Sequence, residues 1–519
     1  MGSVSELFRR WYHSIVIGKT TSTPAFTRRA FVSDIMTWQY EKPDRFALHL
    51  EHDRQFIPWM AARGINAFSY IRHERDTRLK IDELLPLLNE NGIASEYGGH
   101  VLQLLLPRDR FDAHPEFFPV AADGKRNPRG NLCVANQAVL AIVRDGAVCY
   151  LRENPECTLL HVWGADVWDG AWCCCGDCAP LAPQRQYMAV VNAIAAALTE
   201  GSAATPVAYL AYHDTLDPVP KLDPLPNVSF EWAPRERCYS HAIDDPACTV
   251  NPRYLDSLKR YIDLFDGRGH VFEYYADAIL FGGLGVATPA VIARDLRAYR
   301  ALGITSISCL TFGAYSVLAY PVNLEAFARG TQSPDFAPDA TLADVAAQRH
   351  PRCAPAMSSA YRAIARASAL ILDGGGDVMR PALYSAASAA TDAARPPFIP
   401  PAERIGQLRA ARDILDDACA AAEHVLGGAR DELTIAERAV WQYGREVVHG
   451  IADYIAAAGI AGDGRRASGD AAIGRIADAI THVRGLDPSL KGTWGAYDIE
   501  WVRDIWMNAL RRRFGDPQT

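Results

Sequence analysis

Between about Arg29 and about Phe312 the chain alternates short runs rich in β-branched and aromatic residues with longer stretches in which apolar residues recur at helical spacing. The short runs are "AFVSDIM" (30–36), "INAFSYI" (65–71), "GIASEYGG" (92–99), "TLLHVWG" (158–164), "PVAYLAYH" (206–213), "VSFEWA" (228–233), "HVFEYYA" (270–276) and "TSISCLTFG" (305–313). Among the helical stretches, "DRQFIPWMAARG" places Ile57, Met60 and Ala61 on one face, and "ATPAVIARDLRAYRALG" ends in glycine, as helix C-termini often do. Strands that alternate with crossover helices pair in parallel, and eight of them predict a closed (β/α)8 barrel of the TIM type.

The third run is followed by a long irregular insertion, "LLLPRDRFDAHPEFFPVAADGKRNPRGNLCVAN". Loops of that length inside a compact barrel are usually lids or binding loops. After about Ser333 the connector "SPDFAPDA" leads into alanine-rich sequence such as "IGQLRAARDILDDACAAAEHVLG" and "AERAVWQYGREVVHGIADYIAAAG". The expected organisation is an N-terminal extension over 1–28, a catalytic barrel over 29–332 and an all-helical C-terminal domain over 341–519. Trp494, Tyr497, Trp501 and Trp506 are too many large aromatics for a free surface helix, so the end of the chain is expected to dock on the rest.

Composition changes the picture only by exclusion. A hydrophobic share of 49% with 22% charged residues is that of a globular protein with a large core. The formal charge of −8 argues against a general nucleic-acid binder, which requires a basic surface. The N-terminal apolar run "SIVIG" is too short for a signal sequence or a membrane span, which predicts a cytoplasmic protein with no membrane partner. Twelve cysteines scattered through a chain this long are not the framework of a small secreted domain, and reduced thiols are expected.

Barrel enzymes carry their chemistry at the C-terminal ends of the strands, where this sequence is rich in carboxylates, histidines and aromatics. That mixture suits a sugar: aromatic faces stack on the ring while two carboxyl groups supply acid and base. Asp166 is the preferred general acid, because it lies just past an apolar strand. Asp34 and Glu273 interrupt apolar strands, where a charge needs a reason, and either would be the base or nucleophile, with His161 beside them. His100, His161, His213 and Tyr274 would hold hydroxyls, His73 is a further substrate-binding candidate, and Trp38, Trp168 and Trp172 would form apolar walls. Arg72 and Arg235, with Arg75 and Arg237, have the geometry to bind a substrate carboxylate, or else they neutralise neighbouring acids. Any one of these acidic residues has an ordinary structural alternative as a helix cap or salt-bridge partner.

Several stretches carry a resemblance. "HPEFFPVAADGKR" (114–126), "NLCVANQAV" (131–139), "CCCGDC" (173–178), "PVAYLAYHDTLDPVP" (206–220) and "RERCYSHAIDDPAC" together resemble a family of bacterial glycoside-hydrolase-like barrels catalogued as a domain of unknown function, DUF4838. More distantly, "LHVWGADVWDGAW" looks like the H-x-G-G-D-E motif of β-hexosaminidases. That resemblance puts Asp166 at the acid's position. Ala165 stands where those enzymes have the aspartate that orients the acetamido group, so substrate assistance is not implied. The layout, with an early Asp34 and a later His161, also looks somewhat like inverting exosialidases.

The expectation is therefore a glycoside hydrolase that removes a terminal sugar from a glycan, an acidic one such as a uronic, sialic or other ulosonic acid being the natural candidate. The alternatives are a silent carbohydrate-binding barrel and a metal-dependent lyase or isomerase, since the fold alone settles no chemistry. The partner is a carbohydrate, with a homodimer allowed, and catalysis needs no cofactor. Cys173, Cys175 and Cys178 suggest structural zinc, but a closed site needs a fourth ligand. Cys238, His241 or Cys248 would supply it from the rim after the sixth strand; free thiols or a local disulfide are the other readings.

Overall fold

The computed structural model describes residues 23–34, 43–71, 78–166, 171–200, 205–278, 280–373, 401–426, 432–460 and 463–486. Eight parallel strands close into one barrel in chain order: β1 (Arg28–Asp34), β2 (Ala67–Ile71), β3 (Ala94–Gly99), β4 (Cys157–Val162), β5 (Val207–Ala211), β6 (Val228–Trp232), β7 (Gly269–Ala276) and β8 (Ser306–Thr311). The ring is sealed by β8 against β1, with Arg28 opposite Ser306 and Ser33 opposite Thr311. Each strand overlaps one of the eight runs picked out by the apolar pattern.

Outside the sheet lie α1 (Pro43–Ala62), α2 (Arg78–Glu90), α3 (Gln137–Glu153), α4 (Pro183–Glu200), α5 (Asn251–Leu264) and α6 (Pro289–Ala301). Asn136 starts α3 by accepting the Ala138 amide at 3.0 Å, an N-cap that ends the long insertion. Between β5 and β6 the chain makes only a short 3-10 turn, His213–Thr215. After β8 the chain turns helical, with α7 (Gly313–Ala319), α8 (Pro321–Gln332), α9 (Pro338–Arg349), α10 (Ala354–Ile371), α11 (Pro401–Leu426), α12 (Glu432–Ala458) and α13 (Asp463–Leu486). The helices dock on the barrel through buried contacts: Tyr443 of α12 donates to the Gly282 carbonyl at 2.9 Å, and Arg63 pairs with Glu325 of α8 at 2.5 Å. Trp494, Tyr497, Trp501 and Trp506 lie outside the described residues. No described helix is long and apolar enough to cross a membrane.

Successive strand residues face opposite sides of a sheet, and this decides what fills the barrel. Glu96 of β3, His161 of β4, Glu231 of β6 and His270 of β7 all point to the axis and are buried. His161 Nδ1 lies 2.9 Å from Glu231 Oε2, its Nε2 lies 3.4 Å from Glu96 Oε2, and His270 Nε2 lies 3.2 Å from Glu231 Oε1. Arg28 of β1 closes the network by pairing with Glu96. Gly98, at φ +117°, lies so close to β4 that a Cβ there would fall on the His161 carbonyl. One layer nearer the C-terminal ends the axis turns apolar, with Ile71, Trp163, Leu210, Phe272 and Leu310.

Candidate active site

That apolar layer is the floor of a cavity at the C-terminal mouth, walled by His100, Asp166, Tyr212, Arg235, Tyr274, Asp277 and Phe312. Its position is the one barrel enzymes use. An adjoining recess, lined by Asn131, Trp172, Tyr187 and His213, shares His100, Leu210 and Tyr212 with it.

Asp166 sits just beyond β4 with its side chain 42% exposed, open to a ligand, while the backbone before it is pinned. His100 Nδ1 lies 2.6 Å from the Gly164 carbonyl, and Asn131 accepts the Ala165 amide at 2.7 Å. A Cβ at Gly164 would meet the Asn131 side-chain oxygen at 2.9 Å, so any larger residue there would push on this clasp. Across the cavity, Asp277 at the end of β7 accepts from Arg235 Nε at 3.0 Å and from the Leu280 amide at 2.9 Å. Both donors satisfy a carboxylate rather than a carboxylic acid.

A third acid, Glu236, is buried beside them. Its Oε1 lies 3.8 Å from Arg235 Nη1 and 3.6 Å from His213 Nδ1, while His213 Nε2 is 3.8 Å from Asp166 Oδ1. The imidazole therefore stands between Asp166 and Glu236. His213 holds φ at +48°, the left-handed region where side chains other than glycine are uncommon. The turn that imposes this is fastened by Thr215, whose hydroxyl donates to the Leu210 carbonyl at 2.9 Å and accepts the Tyr212 amide at 3.1 Å.

Of the residues expected from sequence, Asp166, His100, Arg235 and Tyr274 line the cavity, and Trp172 and His213 line the adjoining recess. Trp38, Arg72, His73, Arg75 and Trp168 lie outside the described residues, as does the side chain of Asp34, although Asp34 is the last residue of β1.

Two expected catalytic residues are corrected. Glu273 faces the helices, not the mouth, because Phe272 and Tyr274 on either side of it face inward. It lies in a fully buried cluster with Arg237, 3.2 Å away, and with Tyr299, where Arg237 also pairs with Asp295 of α6. Arg237 is thereby spent on internal acids and reaches no substrate. With two carboxylates sharing one guanidinium, burial and the nearby Glu273 outweigh Arg237 and push Asp295 up to about 7. His161 is the second correction: it lies beneath the cavity floor, two residues before Trp163 on the same face of the chain. Burial works against its charge, but the Glu231 and Glu96 carboxylates prevail and push its pKa up to about 9. His161 is thus a buried cation between two buried anions, a structural group.

The cysteines need a correction as well. Cys133, Cys173, Cys175 and Cys178 gather their sulfurs within 4.8 Å of one another, and Cys238 is not among them. Cys133 precedes α3 on the insertion after β3, which runs beside the β4 loop, whereas β6 is two strands away. Cys238 groups instead with His241, 3.3 Å from its sulfur, and with Cys248.

Sequence reasoning also missed Glu236 and passed over Asp277. Asp277 stands just past the end of β7, three residues beyond Tyr274, a signal that was present; Glu236, between two arginines in "APRERC", carried none.

The fold and mouth define a (β/α)8-barrel protein with a carboxylate-lined cavity and a helical extension. The chain belongs to the family described as a domain of unknown function, DUF4838, whose model matches residues 31–311. No curated protein matches the sequence. A solved structure of a GH138 enzyme targeting pectin rhamnogalacturonan II has a similar fold, with a TM-score of 0.55 and 11% identity over 94% of this chain and 83% of that one.

Proposed function

We propose that the protein is a glycoside hydrolase that removes a terminal sugar from a glycan. Asp166 is the proton donor to the leaving oxygen, and Asp277 is the opposing carboxylate, either as nucleophile or as base for a water. The observation that carries this reading is the convergence of Asp166 and Asp277 on one cavity floored by Trp163 and Phe272 and walled by Tyr212 and Tyr274. A silent binding barrel has no need of two acids on one cavity. The chemistry has an oxocarbenium-like transition state, which an ionised carboxylate stabilises while a second carboxyl protonates the departing oxygen. His213 and Glu236 orient Asp166 from behind. No cofactor enters these steps.

The GH138 enzyme acts on a pectic glycan, so a hydrolase on a barrel of this shape is chemically coherent. The finer choice of an acidic sugar is carried, among the described lining, by Arg235, which already faces Asp277 and Glu236. A substrate carboxylate would have to displace Asp277 from it, so the lining suits a neutral, hydroxyl-rich sugar better. A panel of aryl glycosides that sets neutral sugars against uronic and ulosonic acids tests the proposal. Release of aglycone that Asp166→Asn abolishes only for poor leaving groups is expected, and binding without turnover across the panel would refute it.

A further inference from the structure

Four of the twelve cysteines are brought together by two neighbouring loops, and their spacing is not that of disulfides. Cys133 Sγ lies 3.7 Å from Cys175 Sγ and 3.8 Å from Cys178 Sγ. A disulfide requires about 2.05 Å. Four thiolates around a zinc ion at the usual bond length of about 2.3 Å form a tetrahedron whose edges are about 3.8 Å. The observed separations fit that edge.

The surroundings fit it too. Cys133, Cys173 and Cys178 are buried and Cys175 is half-buried, so the group is a largely closed cage. One backbone amide is aimed at the group: Val120 donates to the Cys173 sulfur at 3.4 Å. An amide donor of this kind stabilises thiolate charge. Cys174, within the same run, is exposed and outside the group.

We propose that Cys133, Cys173, Cys175 and Cys178 bind one structural zinc ion, which fastens the insertion after β3 to the loop after β4. All four positions of a tetrahedral ion are filled by protein, so the site is structural and leaves no place for a reacting water. The consequence reaches the mouth of the barrel. Asn131, two residues before Cys133, holds the Ala165 amide, and its own amide donates to the Ala171 carbonyl at 2.8 Å. Gln186 of α4 completes the clasp by donating to the carbonyls of Cys173 and Cys178, at 3.1 and 3.2 Å. The ion therefore fixes the loop that carries Asp166, and the site stands whether or not the chain is a hydrolase.

Metal content of the full-length chain, measured by plasma mass spectrometry, tests this against Cys133→Ser, Cys175→Ser and the control Cys149→Ser at an exposed thiol remote from the group. Wild type and control should each carry one zinc per chain more than the other two variants. Equal zinc in all four, iron in place of zinc, or a disulfide joining Cys133 to Cys175 or Cys178 would overturn the proposal. Should both cluster variants fail to fold, cobalt exchange decides, in a Cys248→Ser background that disables the Cys238, His241 and Cys248 group. Intense sulfur-to-cobalt charge transfer with tetrahedral ligand-field bands supports a four-thiolate site, and their absence rejects it.

Discussion

Trp163 Nε1 donates to Glu231 Oε2 at 2.7 Å, so the floor of the cavity is hydrogen-bonded to the charged network beneath it. Trp163→Phe keeps most of the ring and deletes the donor. Because Glu231 is fully buried, the variant should lose about 1–3 kcal/mol of stability, the cost of leaving a buried acceptor short of a partner. Urea denaturation reads this directly. An unchanged midpoint would mean that the bond contributes nothing.

The His161 network sets a pH dependence whose sign is fixed. Its folded pKa is raised to about 9 by Glu231 and Glu96 against the opposing effect of burial, above an unfolded value of about 6.5. The stability it contributes is therefore fully present below about 6.5 and is lost as pH rises through about 9. Glu96 and Glu231 are held below the ordinary carboxylate range, despite burial, chiefly by Arg28 and by His161 respectively, so their contribution is lost as pH falls through their depressed values. His161→Leu should cost about 3–5 kcal/mol, because it strands buried carboxylates. The difference between wild type and variant should shrink as pH rises from 6.5 to 9; a difference that stays flat over that window would contradict the assignment.

Glu273→Gln separates structure from chemistry. Breaking the buried pair with Arg237 should lower stability by about 3–5 kcal/mol. In the protein that remains folded, kcat and KM should stay near wild type. A large fall in kcat with an unchanged melting temperature would return Glu273 to the mechanism.

Asp166→Asn should reduce turnover by roughly 10²–10⁴-fold on glycosides with poor leaving groups. An activated aryl glycoside needs little proton assistance at departure and should lose far less. Equal losses on both substrates would remove Asp166 from the acid role.

The barrel was legible because each strand is a compact apolar run set between turn residues and helical stretches, a signal that survives without any tertiary information. Asp166 was legible for a related reason, being a carboxylate stranded just past such a run. Glu273 shows where that logic was applied too loosely. Adjacent residues of a strand cannot both face the axis, so choosing Tyr274 for the pocket already excluded its neighbour. Cys133 was hidden by distance, forty residues before the nearest other cysteine of its group, and only the pairing of β3 with β4 brings the two loops together. Glu236 was hidden by its setting, since a loop acid flanked by arginines reads as an ordinary surface charge until the fold buries it.

The charged column within the barrel also works as a key to alignment. Glu96, His161, Glu231 and His270 come from four strands, and they meet only when those strands stand at one relative height. A slip of β6 by one residue would turn Glu231 toward the helix layer and bring Phe230 or Trp232 to the axis, leaving both imidazoles facing an apolar ring. A purely aliphatic interior would accept such a slip at modest cost, since one branched side chain fills space much like another. Here every neighbouring register carries an ionic mismatch, so the polar interior discriminates among sheets that apolar packing alone would leave nearly equal.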